Sequence, residues 1–81
     1  MEEKGLKIIT REVTGEVHIR VDSQFNNINA SYVTVGENVT ARLYGKIKKK
    51  LVLKKGSVLH MHGHILGTIE NEGGYLYTYK D

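Results

Sequence analysis

Three histidines alternate along one short stretch: His60, His62 and His64. On an extended strand, a His-x-His pair puts two imidazoles on one face, as zinc sites do. Such a site needs three or four ligands, and the chain has no cysteine to complete the set. In the register derived below, the histidines stack between Arg42, Tyr44 and Lys46 on one side and Thr78 and Lys80 on the other. Cationic neighbours disfavour a bound cation. No metal and no cofactor are therefore expected.

A second cluster is basic: Lys46, Lys48, Lys49, Lys50, Lys54 and Lys55. Arg42, Tyr44, Lys46, Lys48, Lys50, His60, His62 and His64 together form a candidate anion-binding strip. Its partner would be nucleic acid, a phosphorylated small molecule or an acidic protein face. The plainer reading is solubilising charge, with lysine protecting strand edges. Only Tyr44 lies within the strip, so the aromatic interleaving of single-strand binders is not evident.

A third set is Tyr75, Tyr77 and Tyr79. In the same register these rings continue inward columns and close the end of the core as a lid, with their hydroxyls reaching water. They also form a candidate self-association surface, because a terminal strand leaves backbone groups unpaired. No catalytic set is visible. Ser23, Ser31 and Ser57 lack a nucleophile-elbow setting, and Gly73-Gly74 precedes no helix that would cradle phosphate. No enzyme is expected.

The bounds set by composition agree with these readings. Eighty-one residues make a single domain, too short to bury a large core, so self-association would help it. A net charge of +3 permits an anionic partner without demanding one. There is no apolar run of membrane-spanning length, and Met1 to Gly5 lack the layout of a signal peptide. A cytoplasmic protein is expected.

The elements that must position these groups follow from periodicity. From Val13 to Tyr79 the apolar residues fall at odd positions, the signature of strands with one buried face. A shift of 18 residues aligns the chain with itself: Val33, Leu51 and Ile69 coincide, as do Leu43 and Met61, and Gly45 and Gly63. A six-residue spacing recurs inside each copy, through Val35, Ala41, Ile47, Leu53, Leu59 and Ile65. Three such faces close an 18-residue triangular coil. The expected fold is all-β, a short single-stranded parallel β-solenoid (β-helix). The alternative is a small antiparallel β-barrel or sandwich. Residues 31–81 form the regular coils. Residues 1–30 hold an N-terminal cap strand at 6–10 and an irregular coil, with a loop where Asn27, Asn29 and Ser31 occupy inward slots. Glu37, Lys49 and Lys55 fall at corners and turn outward.

Two segments carry a family resemblance. Leu51-Val52-Leu53-Lys54-Lys55-Gly56-Ser57-Val58 and His62-Gly63-His64-Ile65-Leu66-Gly67-Thr68-Ile69 resemble the repeating motifs of the bactofilins, bacterial polymer-forming cytoskeletal proteins. The resemblance covers about half the chain. It implies a parallel β-helix that joins end to end without nucleotide. The chain has fewer coils than bactofilins, and lacks their tails and the membrane-targeting stretch of some members.

The leading functional expectation is a non-enzymatic, self-associating scaffold or polymer-forming unit whose partner is itself. The alternative is a small bacterial or phage-encoded inhibitor or sequestering protein. It would bind a nucleotide signal or nucleic acid, or block an acidic protein, through the basic face.

Overall fold

The computed structural model describes residues 6–79. Seven strands follow one another: β1 (Lys7–Ile9), β2 (Val13–Ile19), β3 (Ser23–Val35), β4 (Thr40–Leu53), β5 (Val58–Ile65), β6 (Thr68–Asn71) and β7 (Tyr75–Tyr79). Every pairing between them is parallel. Each strand lies on a counterpart about 18 residues away, which makes a β-solenoid of about four turns. Parallel neighbours this close in sequence require the chain to wind around a prism.

The long strands bend to do so. Laid straight, the 14 residues of β4 would span about 46 Å, more than the molecule's longest extent of 40 Å. One bend falls at Gly45 and again at Gly63, with φ of +141° and +142°. A Cβ on Gly63 would sit 1.9 Å from the Gly45 carbonyl oxygen, so this corner admits only glycine. The next bend falls near Ser31 and Lys48-Lys49, where the β3–β4 register shifts. The first face thus holds β1, residues 23–27, 40–44 and 58–62, and β7. The second holds residues 13–15, 28–30, 45–48 and 63–66. The third holds residues 16–19, 32–35 and 50–53, and β6.

The core is the stack of inward rows. Val35, Ala41, Ile47, Leu53 and Leu59, the expected six-residue row, are fully buried, and Ile65 packs at its margin. Fully burying each of the larger aliphatic side chains contributes about 1.5–3 kcal/mol. Two serines also point inward. Ser23 donates to the Val21 carbonyl and Ser57 to the Lys54 carbonyl, each at 2.7 Å, so neither hydroxyl is orphaned. Glu37, Lys49 and Lys55 sit exposed at corners, as expected.

The alternation does change phase, contrary to the unbroken odd pattern. β3 runs as strand from Ser23 to Val35, with no loop inside it. Ile28 and Ala30 point inward, at 1% and 0% exposure, while Asn27 is exposed and Asn29 faces away from the core. Two bulges explain this. Asn26 and Asn27 together oppose Tyr44, and Lys48 and Lys49 together oppose Ser31. Each inserts one residue, on opposite strands, so the phase is lost and then restored. Val21 also departs from expectation, lying exposed at a corner.

A second change of phase is not restored. β7 pairs with β5 as Leu59↔Leu76 and His60↔Tyr77, a shift of 17. The preceding corner is shorter: Glu72-Gly73-Gly74 replaces Lys54-Lys55-Gly56-Ser57. The Asn71 Oδ1 accepts hydrogen bonds from the Gly73 and Gly74 amides, at 2.9 and 2.7 Å, and closes it. Leu76 therefore takes the inward place. Tyr75, Tyr77 and Tyr79 point outward, and the expected tyrosine lid over the core is not formed.

Truncating an inward side chain should cost far more than truncating an outward one. Leu53→Ala is expected to lose about 2–5 kcal/mol in chemical denaturation, and Thr34→Ala less than about 0.5 kcal/mol. Equal losses would contradict the inward row.

Candidate ligand-binding face of stacked rings

On the first face, outward residues of successive turns stand directly above one another. His60 lies over Arg42 and under Tyr77; His62 lies over Tyr44 and under Tyr79. Parallel rungs are about 4.8 Å apart, close to the stacking distance of aromatic rings. The rings take up that geometry. Tyr44 and His62 stack with centroids 4.4 Å apart at 13°. His62 and Tyr79 stack at 4.3 Å and 8°, and His60 and Tyr77 at 5.2 Å and 15°. The Tyr79 hydroxyl lies 2.8 Å from His60 Nδ1, which ties the two columns together. Tyr75 stands beyond them, exposed, over Val58.

The basic strip is divided by the corners. Arg42, Tyr44, His60 and His62 share the first face. Lys46 and His64 are in register with each other but lie past the Gly45 and Gly63 bend, on the second face. Lys48 is exposed at the next bulge. Lys50 lies on the third face, where its Nζ pairs with Glu70 Oε1 at 3.0 Å. Lys54, at the corner beyond, pairs with Glu72 at 3.1 Å, and His18 with Glu16 at 2.9 Å. Glu70 is held below the ordinary carboxylate range, first by a hydrogen bond with Glu72 and then by Lys50.

The acidic residues are sorted by face. Within the strand segments of the first and second faces there is no Asp or Glu. Arg42 and Lys46 make no ion pair among the described residues. On these two faces, then, the fixed cations are not neutralised locally, whereas on the third face they are.

Sequence reasoning found the histidines and Tyr44 but missed that Tyr77 and Tyr79 join them. The signal was present in the corner one residue shorter before Tyr75, which flips every later side chain to the other surface. The expected Thr78 neighbour lies on the inward side, in register with Met61; Lys80 is outside the described residues. Among the described residues, no three His, Cys, Asp or Glu side chains are grouped to hold a metal ion, and no helix is long and apolar enough to cross a membrane. A shallow depression of about 280 Å³ on the third face is lined by Glu16, Tyr32, Thr34, Lys50 and Val52, away from the rings. Comparison with protein-family profiles, curated proteins and solved structures finds no match to this chain.

If the columns are energetic contacts, Tyr44 and His62 should be coupled. A double-mutant cycle with Tyr44→Ala and His62→Ala is expected to return about 0.5–1.5 kcal/mol. Strict additivity would mean that the stacking adds nothing beyond burial.

Proposed function

We propose that this chain is a non-enzymatic, self-associating β-solenoid that serves as a scaffold or polymer-forming unit. The observation that carries this reading is Ile69. It belongs to the inward column of Val17, Val33 and Leu51, yet it is 47% exposed. The last turn leaves the core open. Leu76 and Ile65 are only partly buried there, and Leu66 is exposed.

The backbone supports the same reading. Among the described residues, β6 pairs with β4 and β7 with β5, each on one side only. Free edges of this kind attract further strands. An edge that bends around a three-sided outline is matched along its length only by a chain bending at the same places. A second copy of this chain meets that requirement. The solenoid shape is compatible with the bactofilin resemblance and does not identify the family.

Sedimentation velocity tests the proposal. The protein is expected to sediment above its monomer mass of 9.1 kDa, with a weight-average that rises with concentration. Ile69→Lys should shift it toward monomer while retaining the parallel-β circular dichroism signal. A strictly monomeric wild type at high concentration, across several salts, would exclude self-association.

A further inference from the structure

We propose that the first face and the adjoining strip of the second bind single-stranded nucleic acid, with Arg42, Lys46, His60, His62 and His64 meeting the phosphates. The site lies within one copy and does not rest on self-association.

Three observations carry this inference. The first is the sorting of charge. The strand segments of these two faces carry Lys7, Arg42, Lys46, Lys48 and three histidines and no carboxylate, whereas Lys50 and Lys54 are each paired with a glutamate. A protein that used lysine only for solubility would have no need to segregate its acids. The second is spacing. Alternate residues along a parallel strand, such as His60 and His62, are about 6.6 Å apart, comparable to successive phosphates of an extended polynucleotide. Arg42 and Lys46 on β4, and His60, His62 and His64 on β5, form two rows of hydrogen-bond donors a rung apart, each turning the corner at Gly45 or Gly63.

The third is the end of the ring columns. Tyr77 and Tyr79 stack on β5 histidines through one face. Their opposite faces carry no ring among the described residues, and both side chains are substantially exposed. A base can continue either column, in the way that sequence-tolerant single-strand binders use aromatic platforms. A flat sheet face has no element to enter a duplex groove, which favours a single strand over a double one.

His60 is faced by Arg42 from β4 and by Tyr77 and Tyr79 from β7; His62 by Tyr44 and Tyr79; His64 by Lys46. The strand segments of the two faces hold no carboxylate; Glu12 lies in the turn before β2, and Asp22 Oδ1 accepts from the Thr40 amide at 2.9 Å. Arg42, Lys46 and Lys48 supply the fixed charge of the site.

Fluorescence anisotropy with a labelled oligothymidine tests the proposal, at low protein concentration, over a salt series. Saturable binding is expected, with a log-log salt slope near −1.4 for about two phosphate contacts. Arg42→Gln with Lys46→Gln should weaken binding at least tenfold. His60→Gln with His62→Gln, which removes hydrogen-bond donors, should weaken it by a smaller factor. Tyr77→Ala should weaken oligothymidine binding but not that of inorganic polyphosphate. Lys50→Gln with Lys54→Gln, on the third face and its corner, should change affinity less than twofold, with circular dichroism confirming the fold of each variant. The proposal is overturned by absence of saturable binding at low salt. It is equally overturned if the Lys50/Lys54 pair matters as much as the Arg42/Lys46 pair, or if duplex or an acidic protein binds more tightly than the single strand.

Discussion

The structure depends on keeping count. In a parallel solenoid each residue is fixed above another by backbone hydrogen bonds, and side chains alternate strictly between core and water. The number of residues per turn therefore decides what is buried. Turns of 18 keep Val33, Leu51 and Ile69, or Leu43 and Met61, on the same side. An odd change in length exchanges the two surfaces for everything that follows. The chain makes such changes in two ways. The bulges at Asn26-Asn27 and Lys48-Lys49 offset each other, so the disturbance is confined to Ile28 and Ala30. The short corner before Tyr75 is not offset, and it carries three tyrosines out of the core and sets two of them, Tyr77 and Tyr79, on the histidines.

The same counting produces the surface chemistry. Stacking in register multiplies whatever stands on one strand into a column. A tyrosine, a histidine and a second tyrosine become a continuous stack only because the rung spacing suits ring contact. Lys50 pairs with Glu70 on the third face, and the same geometry sets Lys54 beside Glu72, 18 residues on, at its corner, so the charges there are balanced. On the first two faces no acid was placed in register, and the surface is not. Neither result needs a cleft, since a prism with a filled interior presents its chemistry as rows.

Much of the fold was legible because burial and strand periodicity are coupled. Leu51, Leu53 and Leu59 could face only one way once the 18-residue shift was seen, and the buried row confirms it. The exceptions were illegible for the same reason. A bulge leaves no residue-type signature strong enough to separate it from a polar loop, so Asn27 and Asn29 read as inward slots. The corner before β7 hides its missing residue between two glycines that fit either length. The candidate site was partly visible: the histidines and Tyr44 share a parity in the sequence. Their contact with Tyr77 and Tyr79, and the removal of Lys50 to a face where Glu70 neutralises it, depend on where the chain turns. Alternation alone does not specify that.

One consequence concerns mechanical load. Among the described residues, almost every strand-to-strand contact joins one turn to the next, and no strand of the first turn pairs with one of the last. A chain pulled from its C-terminal end would surrender β7, then β6, then the upper part of β5, each step exposing a fresh copy of the same frayed rim. Resistance to force would come as a series of small, similar events rather than one abrupt rupture. Such a body lengthens gradually under tension and recoils by rewinding onto whatever rung still holds.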